Sequence, residues 1–171
     1  MAVTLLRHTT PEVAKGTCYG VTDLDLAASF ATEAATALAD MTAPSLIISS
    51  PLKRCLHLAD HASQHFGCEL WVAEDWKEMD FGRWEGRLWD DLPRAELDAW
   101  AAAFASYRGH GGESVSQLEA RITRALSEAP DDALIVTHMG CIKAALVAAG
   151  DAQGWQAQLG FGQRVVVDVA Q

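Results

Sequence analysis

The stretch AVTLLRH at residues 2–8 joins a short apolar run to an arginine and a histidine. An apolar run of this length between polar residues predicts a buried strand over residues 2–6. Arg7 and His8 then follow directly at the carboxyl end of that strand. Because ligands of open parallel sheets bind outside the carboxyl ends of the strands, we expect the chemistry of this chain to begin here.

The rest of the chain alternates apolar runs with helix-like segments. Asp25 is the expected N-cap of the first helix, Pro51 is placed to open the second, and Ser114 with Gln117 forms a capping-box pattern. Such alternation predicts one α/β domain over residues 1–171, a three-layer α/β/α sandwich with a mostly parallel sheet. Strands are predicted at 2–6, 45–48, 69–72, 133–137 and 165–169, and helices at 26–41, 51–66, 93–107, 114–129 and 141–149.

Composition narrows the classes of partner. The 171 residues are 50% hydrophobic and 21% charged, which is typical of a globular chain, and they carry a net charge of -10. Such a surface repels nucleic acid and anionic lipid, so neither is an expected partner. With no apolar run of about 20 residues and charges too early for a signal peptide, the expected location is cytoplasmic. Four scattered cysteines are then expected to be free thiols.

Two later strands end like the first one. Residues 49–54 read SSPLKR after the second predicted strand, and His138 follows the fourth. The carboxyl ends of parallel strands share one edge of the sheet, so Arg7, His8, Arg54 and His138 should lie together there. Guanidinium groups match phosphate oxygens with paired N–H donors, and helix starts add backbone N–H groups. The sequence therefore predicts a cationic phosphate pocket in an acidic protein.

Five ordered motifs resemble the histidine phosphatase superfamily, which includes the phosphoglycerate mutases. The resemblance implies a phosphoglycerate mutase-like fold and covers the chain from Val3 to about Val169. The segment at residues 18–23, CYGVTD, looks like the subgroup of alpha-ribazole phosphatases, which act in cobalamin synthesis. The five motifs are LRHTTP (6–11), SSPLKR (49–54), EMDFGRWEG (78–86), GGES (111–114) and VTHMG (136–140).

The resemblance implies hydrolysis of a small phosphorylated metabolite, with alpha-ribazole phosphate as the leading candidate, and with neither metal nor cofactor. His8 would be the nucleophile that forms a phosphohistidine. Arg7, Arg54 and His138 would hold the transferring phosphoryl group, and Glu78 would serve as general acid and base. The substrate side would be lined by Tyr19, Gly20, Thr22 and Met139.

Two positions depart from the family pattern, since Thr9 and Met139 stand where glycine is usual. A β-branched residue at position 9 fails if the backbone there needs φ > 0. Phosphatase is favoured over mutase because residues 11–14 lack the asparagine of the mutases and the segment at 87–112 is short. Two alternatives stay open: a phosphatase of phosphohistidine in proteins, and an inactive phosphate-binding module. The oligomeric state is not predicted.

Two further patterns admit structural or functional interpretations. His57, His61 and His65 recur at helical spacing and could bind a metal, although a solvated helix face is favoured. The tryptophans around the acidic motif at residues 78–86 are expected in the core or in cleft walls, and one or two could stack on an aromatic substrate. Four tryptophans form this group: Trp71, Trp76, Trp84 and Trp89.

Overall fold

A computed structural model describes residues 1–169 of the chain. Its strands form a single five-stranded sheet in the order β3-β2-β4-β1-β5. All pairs are parallel except β1 with β5, which is antiparallel. The predicted α/β class and mostly parallel sheet are therefore confirmed. The strands are β1 (Ala2–Arg7), β2 (Leu46–Ser49), β3 (Leu70–Val72), β4 (Ala133–Thr137) and β5 (Arg164–Asp168).

Within residues 1–169, five α-helices accompany the sheet, and four short 3₁₀ turns lie in the connections. The capping box at Ser114 is present: its hydroxyl accepts from the Gln117 amide N–H at 3.2 Å, and the Gln117 side chain accepts from the Ser114 amide at 3.0 Å. The helices are α1 (Phe30–Leu38), α2 (Lys53–Phe66), α3 (Arg94–Ala102), α4 (Val115–Glu128) and α5 (Met139–Ala148); the turns are Glu74–Trp76, Gly82–Trp84, Trp89–Asp91 and Gly154–Gln156.

Alternation along the strands divides the core between the two faces of the sheet. Leu5 of β1 and Ile135 of β4 face helices α4 and α5, whereas Leu6 and Leu134 face helices α1 and α2. Successive strand residues point to opposite faces, so strands covered on both sides must be apolar throughout. The three-layer arrangement follows directly from these runs.

A third cluster lies beyond the carboxyl edge of the sheet and is mostly aromatic. Trp84 is completely buried at its centre, and the Tyr107 ring stacks on it at 5.7 Å between centroids. Trp89 and Trp100 stack with their ring planes 9° apart. This cluster fills the long connection between β3 and α4 and gives the sheet edge a wall of aromatic rings.

Helix α2 begins at Lys53 with Leu52 at its N-cap, two residues after the predicted start at Pro51. Helices α1 and α3 differ more from their predicted bounds, because tertiary contacts outweigh local propensity. Helix α1 begins at Phe30 and not near 26, since Leu26 forms a bridge with Pro11 and the Asp25 carboxylate pairs with Lys53 at 2.8 Å. Asp25 is therefore not the N-cap. Helix α3 ends at Ala102, because the chain must turn back for Tyr107 to reach Trp84.

The start of α5 also differs from the prediction. It begins at Met139 with His138 at the N-cap, two residues before the predicted start. Met139 and Gly140 thus belong to the first turn of a helix that faces the sheet edge. Within residues 1–169, no helix is long and apolar enough to cross a membrane.

Candidate active site

The carboxyl ends of three neighbouring strands bring the predicted residues together. Arg7 of β1 lies beside Thr137 of β4 in register, and the His8 amide donates to the Thr137 carbonyl at 3.0 Å. The rings of His8 and His138 are 5.2 Å apart between centroids. Residues far apart in sequence therefore form one site because their strands are adjacent.

The imidazole of His8 is oriented by its own backbone neighbourhood. The ring is 2% exposed, and its Nδ1 lies 2.7 Å from the Thr9 carbonyl oxygen. A carbonyl only accepts, so Nδ1 carries the proton and Nε2 keeps its lone pair. Burial lowers the pKa of His8 well below its ordinary value, and the charge of Arg54 lowers it further. His8 is thus a neutral imidazole with a nucleophilic nitrogen.

His138 is fully buried against the second strand end. The Ser50 hydroxyl lies 2.8 Å from its Nε2, and the Cys55 sulphur lies 3.4 Å from the same nitrogen. Burial lowers the pKa of His138 well below its ordinary value, and the neighbouring His8 adds to this effect. Of the four residues predicted for the phosphate pocket, the two arginines therefore supply the positive charge.

Arg54 is completely buried at the start of α2. Its two terminal nitrogens donate to the carbonyls of Thr22 and Gly20, at 2.8 and 2.5 Å, and its guanidinium carbon lies 5.3 Å from the centroid of the Tyr19 ring. Its Nε has no hydrogen-bond partner among the described residues. Two of the five N–H groups of this buried cation are therefore bonded to carbonyls, and the Nε–H is among those that are not.

Arg7 is held from the opposite side by a segment that the sequence motifs did not indicate. Its guanidinium donates to the Leu159 carbonyl at 2.5 Å and lies 4.1 Å from the centroid of the Phe161 ring. The Gly162 amide in turn donates to the carbonyls of Arg7 and His8 at 3.1 Å. Within residues 1–169, the buried Nε of Arg7 also has no partner.

Glu78 enters the site from the connection after β3. Its two carboxylate oxygens accept the amide N–H groups of Met79 at 2.9 Å and of Gly140 at 3.0 Å. A Cβ atom at position 140 would lie 2.3 Å from a Glu78 oxygen, so glycine is required for this approach. The Gly140 N–H in the first turn of α5 therefore holds Glu78 in place, whereas the sequence analysis expected helix starts to add N–H groups to the phosphate pocket.

The site opens into a cleft of about 360 Å³ with mainly apolar walls. Trp84, expected in the core or in a cleft wall, is completely buried, and its indole N–H donates to Glu96 at 2.6 Å. Lys143, one turn after Met139 on α5, is a cleft residue that the motifs missed, although its i, i+4 spacing from Met139 could have indicated it. The cleft is lined by Arg7, His8, Tyr19, Glu78, Met139 and Lys143, with Trp89, Trp100, Phe104 and Trp155 among its aromatic residues.

The remaining predicted positions have distinct places. Tyr19 and Met139 line the cleft, but Gly20 and Thr22 are not among its lining residues and instead hold Arg54 through their carbonyls. Thr9 is buried and lies outside the positive-φ residues, so its β-branched side chain fits without backbone strain. Its hydroxyl has no hydrogen-bond partner within residues 1–169.

The histidine stripe on α2 lies away from this site. His57 and His61 are exposed and pack edge-on against Phe30 at 6.4 and 6.3 Å, and His65 packs in the same way against Phe66 at 4.6 Å. Among the described residues, no group of three metal-ligating side chains is present. Trp71 is 55% exposed on the edge strand β3, contrary to the expectation of a core or cleft position.

Comparisons with known proteins show the family and the fold of this chain. A family model described as histidine phosphatase superfamily (branch 1) matches residues 3–166. TTHB049 from Thermus thermophilus has a similar structure, with a TM-score of 0.82 and 29% identity over 98% of this chain and 94% of that one. The structure of a phosphoglycerate mutase from the same organism is similar with a TM-score of 0.82 and 28% identity, over 98% of this chain and 93% of that one. A mycobacterial glucosyl-3-phosphoglycerate phosphatase shares the fold, with a TM-score of 0.79 and 23% identity over 96% of this chain and 88% of that one. No curated protein matches.

The two buried histidines predict a loss of stability in mild acid. In the unfolded chain an imidazole takes up a proton near pH 6.5, whereas burial keeps His8 and His138 neutral in the folded protein. The unfolded state then binds more protons, so the free energy of unfolding falls as the pH drops below about 6.5. Each such histidine contributes a slope approaching about 1.4 kcal/mol per pH unit. The free energy of unfolding of His138→Gln can be measured by urea unfolding at several pH values between about 6 and 5. Its change with pH should be smaller than that of the unaltered protein by roughly 1 kcal/mol per pH unit.

The matched control is His61→Gln, because His61 is exposed to water in the folded protein. Its slope should equal that of the unaltered protein. If His138→Gln also retained the full slope, the folded protein would have to carry a protonated His138, contrary to the geometry described above.

Proposed function

Because the chain belongs to branch 1 of the histidine phosphatase superfamily, we propose that it hydrolyses a small phosphomonoester through a phosphohistidine on His8. The observation that carries the proposal is a pair of buried guanidiniums, Arg7 and Arg54, whose Nε donors have no partner among the described residues. A buried unpaired donor costs roughly 1–3 kcal/mol, more for a charged group. A tetrahedral dianion beside the neutral His8 would satisfy both donors.

The first step transfers the phosphoryl group to the protein. The lone pair of His8 Nε2 attacks phosphorus in line, a nitrogen–phosphorus bond forms, and the bond to the leaving oxygen breaks. Arg7 and Arg54 neutralise the charge on the equatorial oxygens, and His138 contacts them from the end of β4. Glu78 in its protonated form gives its proton to the leaving oxygen. Each Glu78 oxygen accepts only one backbone N–H, so a lone pair remains for that proton.

The second step returns the protein to its starting state. A water molecule takes the place of the departed alcohol, and the Glu78 carboxylate removes its proton as it attacks phosphorus. The nitrogen–phosphorus bond breaks, inorganic phosphate leaves, and His8 is again a neutral imidazole. Water rather than a second substrate alcohol is the acceptor in this proposal, which makes the reaction a hydrolysis.

The positions of the basic residues support hydrolysis over a mutase reaction. A mutase must retain its phosphorylated substrate by a second anionic group. In the segment at residues 87–112, Arg87 donates to the Asp91 carbonyl, Arg94 pairs with Asp98, and Arg108 donates to the Gly112 carbonyl. These arginines are not among the cleft-lining residues, which leaves Lys143 as the added cation there.

The aromatic walls of the cleft favour a substrate with an aromatic or neutral leaving group. Such rings gain about 0.5–1.5 kcal/mol by stacking beyond the burial of their area. Alpha-ribazole phosphate, a benzimidazole riboside monoester, combines such a ring with one phosphate. This substrate rests on the resemblance of residues 18–23 to the alpha-ribazole phosphatases and on the character of the cleft.

The nucleophile is tested by trapping the intermediate. Rapid quenching with a labelled phosphomonoester, in the presence of a chelator, should yield an acid-labile, base-stable adduct on His8. In His8→Ala the adduct should disappear and turnover should fall about 10³-fold or more, as loss of a nucleophile does elsewhere. Normal turnover in His8→Ala would refute the mechanism, and phosphate binding without any adduct would favour an inactive binding module.

The role of Glu78 is tested by varying the leaving group. Glu78→Gln should lower kcat for alkyl phosphates about 10²-fold or more, because the poor leaving oxygen needs a proton. The loss should be much smaller for p-nitrophenyl phosphate, whose leaving group departs as an anion. Glu74→Gln, at an exposed carboxylate nearby, is the matched control. An equal loss on both substrates would instead assign Glu78 a positioning role.

The substrate class is tested by comparing kcat/KM under one set of conditions. We expect alpha-ribazole phosphate first, a nucleoside monophosphate second and 3-phosphoglycerate last, because a carboxylate in an apolar cleft of an acidic protein is costly. Trp155→Leu should lower kcat/KM for alpha-ribazole phosphate roughly 2- to 10-fold. The same variant should leave kcat/KM for ethyl phosphate unchanged. The control Trp71→Leu, at an exposed tryptophan, should leave kcat/KM unchanged for both substrates.

The opposite order would identify a different ligand for the cleft. A preference for 3-phosphoglycerate that disappears in Lys143→Met would show that Lys143 pairs with a carboxylate. That result would overturn the substrate assignment, while the chemistry at His8 would stand.

A further inference from the structure

The Glu85 carboxylate accepts more hydrogen bonds than any other group near the site, although it is not among the cleft-lining residues. One oxygen accepts from the amide of Gly20 at 2.8 Å and from the Thr22 hydroxyl at 2.6 Å. The other accepts from the amides of Val21 at 2.9 Å and of Phe81 at 3.3 Å. Three of these donors belong to residues 19–22, which we term the anchoring loop. Both oxygens of Glu85 are therefore committed.

The opposite side of the anchoring loop faces Arg54. The carbonyls of Gly20 and Thr22 accept its two terminal nitrogens, and these are the only acceptors of its guanidinium among the described residues. The Gly20 carbonyl and the Val21 amide belong to the same peptide group. One peptide dipole thus lies between the Glu85 carboxylate and the Arg54 guanidinium, with each of its ends bonded to the opposite charge. Hydrogen bonds in such a chain strengthen one another.

The space around Gly20 shows how closely the loop and the acidic motif are joined. A Cβ at position 20 would lie 1.7 Å from the Met79 carbonyl oxygen and 2.9 Å from a Glu85 oxygen. Neither the backbone at Met79 nor the fully bonded carboxylate has room to give. The segment that carries Glu78 and the loop that holds Arg54 therefore meet at one close contact. The negatively charged carboxylate of Glu85 is hydrogen-bonded at this contact.

We propose that Glu85 is a positioning residue for phosphate binding, because it orients the anchoring loop so that its carbonyls hold Arg54. The inference rests on the phosphate pocket of the proposed function and adds a residue that does not touch the phosphate. Carbonyl acceptors leave the positive charge of Arg54 available to a dianion, whereas a directly paired carboxylate would neutralise it. Glu85 does not contact Arg54 directly, because the peptide group between Gly20 and Val21 lies between them.

The experiment measures inorganic phosphate binding to Glu85→Gln by calorimetry. Glutamine keeps the shape, but whichever way its amide is turned, an NH₂ group faces N–H or O–H donors. The anchoring loop must then move, and phosphate binding should weaken about 10-fold or more, the range for a hydrogen bond to a charged group. In an Arg54→Ala background, the same substitution should change phosphate binding little, because its effect passes through Arg54.

The matched control is Glu96→Gln. The Glu96 carboxylate accepts a hydrogen bond from Trp84 of the aromatic cluster and pairs with Arg83, but it does not bond to the anchoring loop. Phosphate binding should be unchanged in this variant. If Glu85→Gln does not fold, Thr22→Val removes one of the four bonds and keeps the Thr22 carbonyl. Its phosphate binding should weaken about 3-fold or more, because one hydrogen bond to the charged Glu85 carboxylate is lost while the other three remain.

Three results would overturn the inference: unchanged phosphate binding in Glu85→Gln and Thr22→Val, an equal loss in Glu96→Gln, or an undiminished loss in the Arg54→Ala background. The proposed function fails separately, when phosphate binds but His8 forms no adduct. In that case the role of Glu85 in binding would stand. Absence of phosphate binding in the unaltered protein would overturn both.

Discussion

The guanidinium of Arg54 is wholly removed from water and is held by two carbonyl oxygens of one loop. A buried charge costs several kcal/mol unless its N–H groups are satisfied, so the loop must lie where it does. That requirement explains the close approach at Gly20, which no larger residue permits. It also brings the Glu78-bearing segment against the same loop. The position of one cation thus sets the geometry of two connections far apart in sequence.

The same cation affects the pKa of His8, the proposed nucleophile. Because neutral carbonyls hold Arg54, its field reaches His8 without being cancelled by an adjacent carboxylate, and it lowers the pKa of His8 together with burial. A neutral His8 keeps a lone pair, and the contact of its Nδ1 with the Thr9 carbonyl places that lone pair on Nε2. In the proposed mechanism, binding of the dianion and activation of the nucleophile therefore have a common origin in the choice of acceptors around Arg54.

Features that depend on strand order could be predicted from the sequence, whereas features that depend on packing could not. Arg7, His8, Arg54 and His138 follow apolar runs, and parallel strands bring such ends together, so their meeting was predictable. Trp84 is buried in the core of a long connection without strands, whereas Trp71, expected in the core or in a cleft wall, is exposed on the edge strand β3. The Phe161 contact with Arg7 arises from a turn before an antiparallel strand, where no local motif marks it.

The two departures from the family pattern alter shape and leave the charged groups intact. Thr9 adds a buried side chain beside His8 without needing positive φ, and Met139 adds an apolar residue to the cleft at the start of α5. Position 140 behaves differently, since a Cβ there would strike the Glu78 carboxylate. The larger side chains of Thr9 and Met139 thus fit at their positions. Position 140 has a glycine because the Glu78 carboxylate approaches the backbone N–H there. If the proposed function holds, these two departures change the shape of the cleft where the leaving group would lie, and they leave the residues proposed for the chemistry in place.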